Sequence, residues 1–188
     1  MFQAITLIVL FGILPSTYAG ACPDLPSMRS DFIKSTFDPT KLAGFFTEQA
    51  YSDIAQVGSS CQTLNVTSAP SGLLSMDFSV KYGPLPFTIT EVYTPEVVDP
   101  PSPGLFEKNA DVPGGKFLKL PTVLVDVAED YSAMTIYSCL EVGGQAVREL
   151  VIATREEEAD EDYVRELIDQ AIEAGVDIDA DKIKRSSC

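Results

Sequence analysis

One stretch decides the fold of this chain: Leu74-Ser75-Met76-Asp77-Phe78-Ser79-Val80-Lys81-Tyr82. Its apolar and polar side chains alternate strictly, which is the period of a β-strand with one buried and one solvated face. Residues 86–94 repeat the pattern, with Phe87, Ile89 and Tyr93 on one face and threonines on the other. The turn signal Gly83-Pro84 separates the two segments. Together they predict two consecutive strands that present their large side chains on one surface.

Short β-like runs continue on both sides of this pair. We expect further strands over residues 44–53, 61–68, 104–109, 117–128, 131–139 and 146–155, most of them bounded by Gly or Pro turn signals. About eight strands at this spacing are typical of an antiparallel sandwich or barrel. The sequence has no internal repeat at solenoid spacing, and residues 22–188 are predicted to form a single domain.

After Arg155 the apolar period changes from that of a strand to that of a helix. The acidic residues at 156–161 lie where the positive end of a helix dipole favours negative charge, and Gly175 stands where a left-handed C-cap falls. These signals predict one amphipathic helix over 160–174, whose apolar stripe consists of Val164, Leu167, Ile168, Ala171 and Ile172.

The N-terminal segment, residues 1–14, is almost wholly apolar and is followed by Pro15, Ser16 and a run of small residues. This is typical of a secretory signal peptide, and we expect residues 1–21 to be removed by cleavage after Ala19 or Ala21. A membrane anchor is the alternative, but it needs about 20 apolar residues and flanking charges. We therefore expect a secreted, extracellular protein whose cysteines form disulfides, namely Cys22, Cys61, Cys139 and Cys188.

The formal charge of −15 and the absence of histidine exclude several classes of function. Nucleic acid and anionic membrane surfaces bind basic faces, so neither is an expected partner, and self-repulsion favours a monomer. Without histidine the chain cannot form a Ser-His-Asp triad, a Cys-His pair or a His-ligated zinc site. The run Asp177-Ile178-Asp179-Ala180-Asp181 lacks the Gly and Glu that an EF-hand loop needs further along. We expect no cofactor and no metal.

Three segments resemble the sequence motifs of the lipocalin family. Phe37-Asp38-Pro39-Thr40-Lys41-Leu42-Ala43-Gly44-Phe45-Phe46 is similar to the first motif, in which Gly-x-Trp opens the first strand; Gly44 and Phe46 hold those positions. Asp130-Tyr131 with Thr135-Ile136-Tyr137-Ser138-Cys139 is similar to the second motif, and Arg155 to the arginine of the third. The Tyr-Ser-Cys sequence is most similar to the apolipoprotein D branch of the family.

The resemblance implies an all-β fold: an eight-stranded antiparallel up-and-down β-barrel, or calyx, with the C-terminal α-helix packed outside. It implies that the Phe46 ring lies under the Arg155 guanidinium, since an aromatic face accepts a cation. It also implies the apolipoprotein D-like disulfides, Cys22–Cys139 and Cys61–Cys188, which tie both termini to the barrel.

The function that the resemblance implies is that of a secreted carrier of a small hydrophobic molecule, such as a fatty acid, sterol, retinoid, carotenoid or tetrapyrrole. An eight-stranded barrel is just wide enough for one such ligand. Glu91 shares the parity of its apolar neighbours, so it would point inward and be paired, hydrated or protonated there. The predicted ligand-binding residues are Leu74, Met76, Phe78, Tyr82, Phe87, Ile89, Glu91 and Tyr93.

Two alternatives stay open on the same barrel. One is a lipid-modifying enzyme, such as an isomerase or de-epoxidase, with Glu48, Glu91 or Asp126 as acid–base groups. The other is a barrel filled by its own side chains that acts through its surface. In either case Asn65-Val66-Thr67 is a sequon for N-glycosylation, which requires an exposed asparagine.

Overall fold

The computed structural model describes residues 20–53, 56–96, 102–110 and 119–187. The helices are α1, Asp31–Ser35, and α2, Glu161–Glu173, and short 3₁₀ turns cover Leu25–Met28, Pro39–Leu42 and Ala180–Lys182. Strands β1 to β9 are, in order, Gly44–Ser52, Ser60–Ser68, Leu74–Tyr82, Leu85–Pro95, Leu105–Ala110, Leu120–Val127, Ala133–Val142, Gln145–Thr154 and Lys184–Arg185. The predicted signal peptide lies outside the described residues, apart from residues 20 and 21.

The first eight strands close into a barrel. Each pairs antiparallel with the next along the chain, and β1 pairs with both β8 and β2. The predicted eight-stranded up-and-down barrel is therefore confirmed. The strand expected at 131–139 is displaced to Ala133–Val142, because Tyr131 has a φ of +61° and turns the chain instead of extending it.

Strand alternation divides the buried side chains into two cores. One fills the closed half of the barrel, and the other lies between the outer wall and the segments that cover it. The inner core includes Phe46, Leu64, Val66, Leu74, Met76 and Leu124. The outer core includes Ala50, Tyr137, Leu150, Ile152, Val164 and Leu167.

The segment before β1 closes one end of the barrel. The Ser30 side chain caps α1 by accepting a hydrogen bond from the Ile33 backbone N–H at 3.3 Å. The Ser30 N–H donates to the Val125 carbonyl at 2.8 Å, which fixes the helix to β6. Ile33 and Leu42 are fully buried in the inner core, so this end is filled by side chains. The opposite end, which we call the rim, carries the turns at 83–84 and 143–144.

Arg155 joins three segments at the closed end. Its Nε donates to the Tyr131 carbonyl at 2.8 Å, and its Nη2 donates to the Ala43 carbonyl at 3.2 Å. The guanidinium carbon lies 4.3 Å from the centroid of the Phe46 ring. Gly44 has a φ of +124°, and a Cβ there would lie 2.7 Å from Arg155 Nη1, so this position requires glycine.

The turn before β7 holds Tyr131 against the N-terminal segment. Its hydroxyl accepts a hydrogen bond from the Asp38 N–H at 2.7 Å, and its ring meets the edge of Phe32 at a centroid distance of 5.7 Å. Asp130 accepts from the Ser132 N–H at 3.0 Å, and hydrogen bonds from Ser132 lower the pKa of Asp130. The turn therefore has its own local hydrogen bonds besides the Arg155 contact.

The C-terminal tail lies along the seam where β1 and β2 diverge. Beyond Thr47, β1 no longer pairs with β2, and β9 pairs with Ala50 and Tyr51 instead. The Ser186 N–H donates to the Gln49 carbonyl at 3.0 Å, and the Cys61 N–H donates to the Ser187 carbonyl at 2.9 Å. The tail thus connects the two strands at the rim end.

Cys22 and Cys139 form a disulfide, as the resemblance implied, with their Cα atoms 5.7 Å apart. Cys61 is also disulfide-bonded. Its expected partner, Cys188, lies outside the described residues, so the Cys61–Cys188 pairing stays a prediction.

Helix α2 packs on the outside of the barrel. Asp160 caps it by accepting from the N–H groups of Asp162 and Tyr163 at 2.9 and 3.2 Å. Of the predicted stripe, Val164, Leu167 and Ala171 are buried, whereas Ile168 and Ile172 are only partly buried. None of the helices in the described ranges is long and apolar enough to cross a membrane.

We expect Leu167→Asp to lower the free energy of unfolding by about 2–5 kcal/mol, because it places an unpaired charge in the buried contact between α2 and the barrel. Gln170→Asp adds the same charge on the exposed face of α2 and should change stability little. Denaturant unfolding followed by circular dichroism measures both. Equal effects of the two substitutions would show that α2 does not depend on this contact.

We also expect non-reducing peptide mapping to recover Cys61 linked to Cys188 and Cys22 linked to Cys139. The motivation is that Ser187, the residue before Cys188, accepts a hydrogen bond from the Cys61 backbone. A Cys22–Cys61 peptide would contradict both assignments.

Candidate functional site

The inner faces of β3 and β4 differ in depth along the barrel. Directly paired residues share a face, as for Leu74 with Tyr93 and Phe78 with Ile89. Leu74, Met76 and Tyr93 are buried in the closed half, and Phe78 and Ile89 are partly buried above them. Tyr82 and Phe87 lie at the rim, with 38% and 48% of their surface exposed and their rings in edge contact at 6.5 Å.

Lys108 extends across the interior at the boundary between the two halves. Its Nζ donates to Glu91 Oε1 at 3.3 Å and to Glu149 Oε2. Because β5 and β8 are separated by β6 and β7, the contact with Glu149 crosses the lumen of the barrel. The Glu91 Oε2 accepts a second hydrogen bond, from the Tyr93 hydroxyl at 2.6 Å.

These groups belong to a ring of polar side chains that we call the polar belt. Thr122 and Ser138 join it through a hydroxyl–hydroxyl hydrogen bond of 2.8 Å, and Ser138 is paired with Glu149. The side chains of Lys108, Glu91 and Glu149 retain 11%, 19% and 20% exposure, so these three members of the belt are partly accessible. Six strands supply its members: Glu48, Glu91, Lys108, Thr122, Ser138 and Glu149.

Burial and charge pairing together set the pKa values of the belt. Burial by itself lowers the pKa of Lys108, but the carboxylates of Glu91 and Glu149 outweigh it, and the pKa lies well above its usual range. Lys108 is therefore charged at neutral pH. Burial raises the pKa of Glu149 and, together with the Glu91 carboxylate, raises that of Tyr93 well above its usual range.

Glu48 is the most deeply buried carboxyl group of the belt, with 1% of its surface exposed. Its Oε2 accepts a hydrogen bond from Gln56 Nε2 at 3.2 Å, and Gln56 Oε1 accepts in turn from Gln62. The Oε1 of Glu48 has no hydrogen-bond partner within the described ranges. Burial raises the pKa of Glu48 well above its ordinary value of 4.5, and the Asp53 and Glu91 carboxylates raise it further.

The structure brings together only some of the charged residues that the sequence singled out. Glu48 and Glu91 both belong to the polar belt. Asp126 lies outside the barrel, near Tyr163 and Leu167 of α2, because β6 changes register between Leu124 and Asp126. These three carboxyl groups therefore do not form a common acid–base site.

Sequence reasoning missed Lys108 and Glu149. A signal for both was present: Lys108 shares strand parity with Phe106, and Glu149 shares it with Val147 and Val151. A charged side chain on the apolar parity of a predicted barrel strand needs an opposite charge. Pairing inward-facing opposite charges on non-neighbouring strands would have predicted the contact between Lys108 and Glu149.

The remaining predicted sites lie on the outer surface. Asn65 is exposed on β2, between Phe45 and Asp77 of the neighbouring strands. Asp177 pairs with Arg148 at 2.8 Å and Asp179 with Lys182 at 2.7 Å. No group of acidic, Cys or His side chains in the described part of the chain could hold a metal ion.

Several solved structures have the same fold as this chain. Lobster apocrustacyanin A1 superposes with a TM-score of 0.71 at 13% sequence identity, covering 94% of this chain and 93% of that chain. Apocrustacyanin C1 gives 0.70 at 12% identity, covering 90% and 89%. Insecticyanin from the tobacco hornworm Manduca sexta gives 0.66 at 16% identity, covering 91% and 88%.

These neighbours are lipocalins, and the similarity shows that this chain has the lipocalin fold. No protein-family model matches the sequence, and no curated protein is significantly similar to it. At this low sequence identity, the structural similarity shows the fold but does not identify a ligand.

We expect Glu48→Gln to stabilise the protein at pH 7.5 by about 1–3 kcal/mol, because a neutral amide of the same size avoids the desolvation cost of a buried carboxyl group. Because the pKa of Glu48 is higher in the folded state than in the unfolded chain, the unfolded chain releases this proton first as pH rises above about 4.5, and this carboxyl lowers stability over that range. The substitution removes that penalty, and the gain should vanish below pH 4.5.

Urea unfolding at several pH values tests this expectation. Glu158→Gln removes a carboxylate from the exposed loop before α2 and serves as the matched control. A Glu48→Gln protein that is less stable than the unmodified one at pH 7.5 would mean that the charged carboxyl is compensated in the fold.

Proposed function

We propose that the protein is a secreted carrier that holds one small hydrophobic molecule in the rim half of the barrel, above the polar belt. The observation that carries this proposal is the division of the interior. The closed half is packed with its own side chains, whereas the rim half has apolar walls that stay partly exposed. An eight-stranded barrel has room for one such ligand when side chains do not fill it.

The chemistry of the rim half suits a mainly apolar ligand. Phe78 and Ile89 form one wall, Val147 faces the same half from β8, and Tyr82 and Phe87 form the entrance. Removing apolar ligand surface from water contributes about 25 cal/mol per Å². The belt below supplies the few polar groups that orient a ligand. No bond-making step is required for this role.

Several features support export as part of the proposal. Residues 1–21 have the sequence of a signal peptide, Cys22 and Cys139 are joined, and Asn65 of the sequon is exposed. Disulfides persist in oxidising compartments. The Cys22–Cys139 bond also supports the apolipoprotein D-like pairing, and the net charge of −15 supports a monomer. We further propose that Asn65 carries the glycan.

An enzymatic role has less support. Asp126 is remote from the interior, Cys22, Cys61 and Cys139 are disulfide-bonded, and the chain has no histidine. The carboxylates of Glu91 and Glu149 are both engaged by Lys108. A surface role for a filled barrel predicts that no ligand enters, and the same binding experiment decides between it and the carrier function.

Titration with N-phenyl-1-naphthylamine, a neutral apolar fluorophore, tests carrier function without relying on tryptophan, which this chain lacks. We expect saturable binding of about one probe per barrel. Phe78→Asp should weaken it by at least about tenfold, because it places a charge on the apolar wall.

Thr88→Asp is the matched control, since Thr88 is exposed on the outer face of β4. It should bind the probe as the unmodified protein does. Circular dichroism must show that both variants keep the β-barrel. If the probe never saturates, or if the inward and outward substitutions have equal effects, the filled barrel replaces the carrier.

A further inference from the structure

The polar belt contains more negative than positive groups. The carboxyl groups of Glu48, Glu91 and Glu149 surround one ammonium group, that of Lys108. Asp53, next to the end of β1, adds to the negative potential at Glu48 and Glu149. This imbalance lies in an interior where charges are poorly screened by water.

The ammonium group of Lys108 already has interaction partners within the protein. Its Nζ donates to Glu91 and Glu149, and it lies 6.0 Å from the centroid of the Tyr93 ring. Two carboxylates against one ammonium leave this group of three with a net negative charge. The one buried cation of the belt therefore does not present a free site for an anion.

Glu48 offers an acceptor that the described residues do not fill. Its Oε1 is buried, belongs to the inner face of β1 and has no hydrogen-bond partner among the residues that the structure describes. Leaving a buried polar atom unpaired costs about 1–3 kcal/mol. A ligand that brings a hydrogen-bond donor to the belt removes that cost, and a ligand that brings only acceptors does not.

We infer that the barrel selects apolar molecules with a single hydrogen-bond-donating head group, an ammonium in preference to a hydroxyl, and that it discriminates against a carboxylate head. This inference rests on the proposed carrier function and names the class of ligand. Glu91 and Glu149 are accessible from the rim half, and Glu48 lies next to them in the belt.

The three head groups differ in the hydrogen bonds that they can donate to the belt and in the charge that they bring to it. An ammonium donates up to three hydrogen bonds and balances the excess negative charge, and a cation beside Glu48 favours its carboxylate form. A hydroxyl donates one hydrogen bond and leaves the charge unchanged. A carboxylate donates none and adds to the repulsion from Glu91 and Glu149, unless it takes up a proton.

Competition against bound N-phenyl-1-naphthylamine measures this preference directly. Decylamine, decan-1-ol and decanoate have the same alkyl chain, so their displacement constants compare head groups alone. At pH 7.5 we expect decylamine to bind at least about tenfold more tightly than decanoate, with decan-1-ol between them. This ranking needs no variant and so does not depend on how any substitution folds.

Two variants test the residues behind the ranking. Glu48→Gln should reduce the preference for decylamine over decan-1-ol by about fivefold or more, because it removes one carboxylate from the belt. Glu149→Gln leaves Lys108 with one carboxylate partner and should bring decanoate closer to decylamine. Glu158→Gln removes one carboxylate from the outer surface and should leave all three constants unchanged.

The outcomes separate the inference from the proposed function. If the probe binds and decanoate displaces it as well as decylamine does, the head-group inference is wrong and the carrier function stands. The inference also fails if Glu48→Gln and Glu158→Gln shift the constants equally, since the preference would then reflect the charge of the whole protein. If no probe binds, both proposals fail.

Discussion

The rest of the structure depends on closing the sheet through β1. This strand pairs with β2 along its first half and with β8 along its second, and the tail strand β9 takes the edge that β2 leaves. A closed sheet has no long exposed edge, and it gives every strand one face inside and one outside. The two cores follow from that single constraint, because alternate side chains must be buried in different places.

The closed end and the rim end of the barrel differ in how side chains fill the interior. At the closed end, α1 and Tyr131 pack into the inner core and Arg155 joins the neighbouring segments through backbone hydrogen bonds, so side chains fill the interior there. At the rim end the strands extend beyond the packed core and their inner apolar side chains stay exposed. Only the second arrangement leaves large inner apolar side chains such as Phe87 exposed. The polar belt marks the level at which one changes into the other.

The belt shows why a barrel tolerates buried charge. Lys108 is costly to bury alone, and its charge is compensated by Glu91 from the neighbouring strand and by Glu149 from across the lumen. Packing does not explain why the belt contains more carboxyl groups than ammonium groups. Glu48 has an oxygen without a partner in the described structure, and a raised pKa, which is unfavourable for a protein whose only requirement is stability. A recognition role for the belt accounts for this surplus.

The sequence by itself determined the strand pattern, the exterior helix and the shared face of β3 and β4, since each is a local periodicity of two or 3.6 residues. Its alternation correctly assigned Glu91 to the face of Phe87, Ile89 and Tyr93. Only the tertiary structure decided depth: Met76 is in the packed core, Phe87 is at the rim, and Asp126 is outside through a register change. Only the tertiary structure reveals the contact between Lys108 and Glu149, because contacts across a barrel lumen depend on barrel closure and strand register. No local sequence pattern encodes the depth of a side chain in the barrel or a contact across its lumen.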